Sequence, residues 1–263
     1  MGNGADRSGC SVNLEGSVAL VTGGNRGIGE AFVRALLAGG ASKVYVGSRK
    51  LEDAAHLVAE APGRVIVVAL DITKPEQISA AATAYGDVSI LINNAGAFHN
   101  RTLLGAPDLS AARDEMEVNY FGPLAMCRAF APILKANGGG AIVNVLSSGG
   151  LVALPAMGGY SPSKFAGRAA TTCVRAELAG QNTQVTALIV GSVDTRMAAH
   201  VAGRKERPED IAKIGLSAIK RGIDELDTDQ MAIEVRASLA RDPKALERSL
   251  AKMLTAGEIT TGR

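Results

Sequence analysis

The sequence predicts an α/β fold built on a doubly wound parallel sheet, and three observations carry that expectation. Short apolar runs recur at 18–21, 43–46, 65–70, 88–92, 141–146 and 185–190. Between them, at 27–38, 51–60, 75–85, 110–136 and 160–180, apolar residues repeat at helical spacing. The strand runs are continuously apolar, as strands covered on both faces must be, so helices are expected to sandwich a parallel sheet. No repeat, low-complexity block or linker interrupts the 263 residues, a length that one large α/β domain commonly reaches.

In chain order, residues 1–15 are polar and glycine-rich and read as a flexible lead-in to a single domain over 16–263. They hold no apolar stretch of the signal-peptide kind, and Asp6 stands where a myristoylation signal needs Ser or Thr. The first strand, over 17–21, runs into Thr22, Gly23, Gly24, Asn25, Arg26, Gly27, Ile28 and Gly29, and then into an apolar helix. Glycines permit positive φ in a tight turn and let a phosphate reach the backbone, while the helix N-terminus offers free N–H groups to a pyrophosphate. Strand, glycine turn and helix in that order indicate the Rossmann variant of the fold and a dinucleotide ligand.

The second strand ends at Ser48, nineteen residues after Gly29, where a NAD-preferring site usually carries an acid for the ribose 2′-OH. Here Arg49 and Lys50 follow instead. An arginine fork grips a 2′-phosphate that a carboxylate would repel, and Arg26 could approach the same group. NADP(H) is therefore expected over NAD(H). After the third strand, Asp71 beside Ile72 can accept the adenine amino group or cap the next helix, and both readings stay open. The fourth strand ends in Asn93, Asn94, Ala95 and Gly96, small residues and amides that let the chain pass close to a cofactor and tie strands together.

The second half carries the candidate chemistry. Asn119 is polar within an otherwise apolar helical stretch, either holding a water that relays protons or buried as a satisfied amide. Ser147 and its rival Ser148 follow the fifth strand, at the carboxyl end where ligands of such sheets bind. Tyr160 and Lys164 open the next helix four residues apart, hence on one face, and Pro162 is tolerated in the first turn. A phenol is a poor proton shuttle at neutral pH. An adjacent ammonium and an oxidised nicotinamide both favour the phenolate, and bringing its pKa to about 7 takes roughly 4 kcal/mol. Either serine, thirteen or twelve residues before Tyr160, could orient a substrate oxygen against the phenol. Beyond 205 the pattern changes: 208–221 reads as a helix, and 229–254 as a charged helical extension broken near Pro243.

Composition excludes several classes. A net charge of +2 and nine aromatic side chains with no Trp argue against a nucleic-acid partner. No apolar run approaches the roughly 20 residues of a membrane span. Three scattered cysteines without a C-x-x-C pair read as reduced thiols of a cytoplasmic protein, and no residue cluster suits a metal.

Together these motifs resemble the classical short-chain dehydrogenase/reductase (SDR) family over about residues 15–200. Its TGxxxGxG pattern stands at 22–29, its NNAG at 93–96, and its YxxxK pair at Tyr160 and Lys164. Glu117-Val118-Asn119 resembles the segment of the catalytic Asn, and Ile142-Val143-Asn144-Val145-Leu146-Ser147 selects Ser147 over Ser148. The resemblance implies that Tyr160 is the general acid/base, that Ser147 orients the carbonyl, and that Lys164 binds the nicotinamide ribose and lowers the Tyr160 pKa. Asn119 would support the proton relay. The segment from Val190 through Gly191, Val193 and Thr195 is similar to PGxxxT, with Val190 in place of the proline and Thr195 able to reach the carboxamide. The family's final strand and glycine-rich tail are hard to find after 222, which puts a tetramer in doubt. The helices at 110–136 and 160–180 look like its dimer pair.

The expected activity is reversible hydride transfer between NADP(H) and a small or secondary-metabolite carbonyl or alcohol. A silent NADP-binding sensor and a non-redox, cyclase-like use of the scaffold are the alternatives. Phe98, His99, Leu151, Met157, Met197 and His200 are candidates to line the substrate pocket, the two histidines having surface positions as their competing reading. The segment 195–210 is the expected lid.

Overall fold

The computed structural model describes residues 12–199 and 201–254, with the backbone alone at Met253. Seven parallel strands form one sheet in the order β3-β2-β1-β4-β5-β6-β7. They are β1 (Val18–Thr22), β2 (Lys43–Ser48), β3 (Val65–Ala69), β4 (Ile90–Asn93), β5 (Gly140–Val145), β6 (Thr183–Ile189) and β7 (Glu225–Asp227). The helices are α1 (Gly27–Ala38), α2 (Ala55–Glu60), α3 (Pro75–Ala84), α4 (Ser110–Met116), α5 (Gly122–Ala136), α6 (Tyr160–Glu177), α7 (Pro208–Lys220), α8 (Gln230–Arg241) and α9 (Pro243–Ala251). The order reverses between β1 and β4, which opens the crevice where ligands of doubly wound sheets bind.

Two apolar cores lie on opposite faces of the sheet. Phe32, Val33 and Leu36 of α1 pack with Ile211, Leu216 and Ile219 of α7 over one face. Met126, Phe130 and Leu134 of α5 pack with Val174 of α6 over the other. The central strands β1, β4 and β5 are buried almost throughout, whereas edge strand β3 leaves Ile66 exposed. Continuous apolar sequence marks the former because both of their faces are covered.

Two features depart from the sequence reading and one agrees with it. Leu14, inside the expected lead-in, is 2% exposed and joins the core, while residues 1–11 lie outside the described residues. The final strand is present: β7 pairs with β6 through Ala187↔Glu225, Leu188↔Leu226 and Ile189↔Asp227. The extension does break at Pro243, and α8 packs through buried Ala232 against Leu146, Leu151 and Ile189. No helix among the described residues is long and apolar enough to cross a membrane.

Candidate active site

The glycine turn lies between β1 and the N-terminus of α1. Gly23 and Gly27 hold φ of +60° and +56°, conformations that residues with a Cβ rarely adopt. Gly29 is required for another reason: a Cβ there would lie 2.2 Å from the Gly23 carbonyl oxygen and 2.5 Å from Asn94 Nδ2. Asn94 spans the adjoining strand ends, its Nδ2 donating to the Thr22 and Gly23 carbonyls at 3.0 and 3.1 Å. The Thr22 hydroxyl accepts the Asn94 and Ala95 N–H groups at 3.0 and 3.1 Å. The strand-tying expected of this segment is thus made by Asn94 and Thr22 together.

A Cβ at Gly27 would lie 3.2 Å from Thr195 Cγ2, so the chain after β6 closes over the same turn. In that segment Val193 is buried, and the hydroxyl oxygen of Ser192 is buried without a hydrogen-bond partner. A backbone cradle with no room for side chains, the amino end of a helix and an orphaned hydroxyl nearby fit a dinucleotide. Arg26 and Arg49 are exposed beside it and have no ion-pair partner among the described residues. Ser48 is buried and spends its hydroxyl on the Lys50 carbonyl at 2.8 Å. Asp71 Oδ1 accepts the N–H and hydroxyl of Thr73, so the carboxylate closes the turn before α3. Ile72 is buried against the start of α5.

At the carboxyl end of β5, Ser147 caps a short turn, accepting the Gly149 N–H at 3.1 Å. Its hydroxyl lies near enough to the Tyr160 phenol to act against the rise in that phenol's pKa, and Ser148 N–H donates to the Val190 carbonyl at 2.9 Å. Ser161 ties the start of α6 to this turn, accepting the Leu154 N–H at 3.2 Å and donating to the Gly149 carbonyl. Lys164 Nζ donates to the Val145 carbonyl at 3.1 Å and lies 5.5 Å from the Tyr160 ring centroid.

Burial lowers the Lys164 pKa to about 8. Burial raises that of Tyr160; the Ser147 hydroxyl opposes the rise and the charge of Glu115 adds to it. In the chain by itself the phenol is therefore held protonated, and an added positive charge is needed to favour the phenolate.

Asn119 sits in a π turn, Glu117–Phe121, that joins α4 to α5. Its amide is satisfied: Oδ1 accepts from Ala97 N–H, and Nδ2 donates to the Ala97 carbonyl and the Ser163 hydroxyl, each at 2.9 Å. Beside Lys164, a cavity of about 20 Å³ lined by Asn93, Asn119, Cys127 and Asn144 is large enough for one water.

Comparison with known proteins matches residues 17–206 to the short chain dehydrogenase family. This chain belongs to that family of oxidoreductases. Over 210 residues the short-chain dehydrogenase is 36% identical to a 3-alpha-(or 20-beta)-hydroxysteroid dehydrogenase of Mycobacterium tuberculosis, covering 78% of each chain. A solved short chain dehydrogenase from Burkholderia cenocepacia, in complex with NADP, superposes with TM-score 0.86 at 44% identity, over 90% of this chain and 98% of that one. A 3-ketoacyl-(acyl-carrier-protein) reductase from Brucella melitensis, complexed with NADH, superposes with TM-score 0.75 at 27% identity, over 83% and 99%.

Around the phenol of this short-chain dehydrogenase, Phe98 packs edge-on against Tyr160 at a centroid distance of 5.2 Å. Met157 is half-buried in the turn before α6. The other pocket candidates are placed differently. Leu151 is 4% exposed within the apolar cluster under α8, and Met197 is 45% exposed. His99 is exposed and its Nε2 pairs with Asp114 at 2.6 Å, while His200 lies outside the described residues.

Sequence reasoning missed Glu115. It is 2% exposed, accepts the His99 N–H at 2.8 Å, and is pushed above the usual carboxylate range by burial. The available signal was its spacing: Glu115 stands four residues before inward-facing Asn119, hence on the same helix face.

Proposed function

We propose that this short-chain dehydrogenase is an NADP(H)-dependent carbonyl reductase acting reversibly on lipophilic or secondary-metabolite ketones and aldehydes. The observation that carries the reading is the convergence of Ser147, Tyr160 and Lys164 at the end of β5, beside the glycine cradle. When bound, the nicotinamide supplies the hydride. Ser147 would hold the substrate oxygen by donating a hydrogen bond, which keeps the reacting carbonyl against the phenol. Tyr160, protonated in the chain by itself, would give its proton to that oxygen as negative charge develops there. Lys164 would bind the nicotinamide ribose, and its depressed pKa makes it able to return a proton to Tyr160 near neutral pH.

Preference for the phosphorylated cofactor rests on Arg26 and Arg49 beside a second strand that ends without an acid. The NADP in the Burkholderia cenocepacia relative supports it. The hydroxysteroid dehydrogenase among the relatives agrees with a lipophilic alcohol–ketone pair. The free thiols of Cys127 and Cys173 suit the cytoplasm.

Titration with NADPH and NADH, followed by nicotinamide fluorescence, tests the reading. NADPH should bind at least roughly tenfold more tightly, the scale of one charge-assisted arginine–phosphate contact. Carbonyl reduction should then fall by on the order of a thousandfold in Tyr160→Phe, which keeps the ring and loses the proton donor. Equal NADH affinity overturns the cofactor preference. NADPH binding without turnover, and without loss in Tyr160→Phe, favours the sensor. A product lacking two added hydrogens favours the non-redox alternative.

A further inference from the structure

Asp229 is 7% exposed and stands at the turn between β7 and α8. Its two oxygens have different partners. Oδ1 accepts the Ala232 N–H at 3.0 Å and caps α8. Oδ2 accepts the Gly191 N–H at 2.6 Å and the Thr228 hydroxyl at 3.1 Å. Thr228 reinforces the same grip, its N–H and hydroxyl both reaching the Ile189 carbonyl at 3.0 and 3.1 Å. Gly191 is needed for this approach, because a Cβ there would lie 2.3 Å from Asp229 Oδ1 and 2.8 Å from Met231 Cβ.

From Gly191 the chain runs to Thr195, which closes over Gly27 of the glycine turn. Midway it is tied once more, where Asp194 N–H donates to the Glu206 carbonyl at 2.8 Å and Glu206 N–H to that of Ser192 at 2.9 Å. The residue before Gly191 is Val190, whose φ is not locked as a proline ring would lock it. The upstream end of the segment is therefore held by hydrogen bonds, from Ser148 N–H to the Val190 carbonyl at 2.9 Å and from the Gly191 N–H to the Asp229 carboxylate.

We propose that Asp229 is a positioning residue for the cofactor: by holding the Gly191 N–H, it fixes the 190–195 segment where that segment meets the nicotinamide half. The inference rests on the cofactor reading above. A short hydrogen bond to a carboxylate is among the stronger kinds, and its loss leaves the Gly191 N–H without its acceptor. The loosened segment must then be ordered when the cofactor binds, which weakens binding without removing any contact to the cofactor.

Two substitutions separate this role from the helix cap. Asn and Ser both serve well as N-caps, so Asp229→Asn and Asp229→Ser keep the bond to Ala232. Asn presents its NH2 to the Gly191 N–H, and Ser is too short to reach it. Both variants should bind NADPH about tenfold more weakly than the wild type, yet bind 2′-phospho-ADP-ribose, which lacks the nicotinamide, within about twofold of it. Thermal stability of the cofactor-free variants is followed in parallel, since a purely structural role lowers it and leaves both affinities unchanged. Unchanged NADPH affinity overturns the proposal, and so does an equal loss for the fragment. Wild-type protein that binds neither NADPH nor NADH overturns the cofactor reading first. If the wild type favours NADH, the same comparison runs with NADH and ADP-ribose.

Discussion

The Glu115 carboxyl lies buried between the His99 backbone and the start of α6, where a Cβ at Gly159 would come within 2.7 Å of its Oε2. Its charge opposes ionisation of the Tyr160 phenol, which suits the proton-donor role proposed for that phenol. The sign follows directly. Glu115→Gln keeps the shape and the acceptor for His99 while removing the charge, so the Tyr160 pKa falls. If Tyr160 acts as proposed, the phenolate is the active form in the alcohol-oxidising direction, so the rising limb of the pH–rate profile should move to lower pH. A limb that stays in place would show that Glu115 carries no charge in the working enzyme. Tyr160 and Lys164 were legible because they stand four apart at a helix start, whereas position at the strand end left Ser147 and Ser148 open and the family resemblance chose between them. Glu115 was not legible, because an acid within Asp114-Glu115-Met116-Glu117 reads as part of a solvated face.

At the scale of elements, the buried strands were legible and the last one was not. Strands β1, β4 and β5 announce themselves as apolar runs because both faces are covered. Strand β7 is three residues long, Glu225, Leu226 and Asp227, and its polar positions are matched by ion pairs instead. Arg168 from α6 reaches Glu225 at 2.8 Å, and Arg236 from α8 reaches Glu225 at 2.8 Å and Asp227 at 2.6 Å. No hydrophobic pattern encodes such a strand, because its acidic positions are met by arginines of α6 and α8 and not by apolar side chains. Burial alone would push the Glu225 carboxyl up, but Arg168 and Arg236 hold it below its ordinary value. A depressed carboxylate contributes stability above its unfolded-state pKa and loses it as the pH falls through the folded value. Arg236→Ala should therefore cost about 1–2 kcal/mol near pH 7, the scale of a partly exposed network, and the gap should close toward acid pH. Urea unfolding of both proteins at pH 7 and pH 4 measures it, and a gap that is independent of pH would locate the loss in packing of the arginine stem.

At the scale of the whole molecule, one side of the structure has apolar groups left over. Phe121 in the π turn is 49% exposed, Phe165 on α6 is 39% exposed, and Leu109 before α4 is 60% exposed. The opposite sides of α5 and α6 are spent on the core, through Met126, Phe130 and Val174. Large exposed aromatics on two helices that the core already fixes suit an interface that needs little reordering, and a second copy of the chain offers the same surface about a two-fold axis. The chain should sediment as a dimer. Replacing Phe121 and Phe165 together by Asp places four carboxylates in that isologous contact, two from each copy, and should weaken the dimer by ~100-fold or more. Analytical ultracentrifugation across a concentration series checks this. The thermal midpoint is a second check, because folding linked to association makes it rise with protein concentration in the wild type and not in the double variant. A wild-type chain that remains monomeric at high concentration, with a midpoint independent of concentration, would assign those aromatics to some surface role other than self-association.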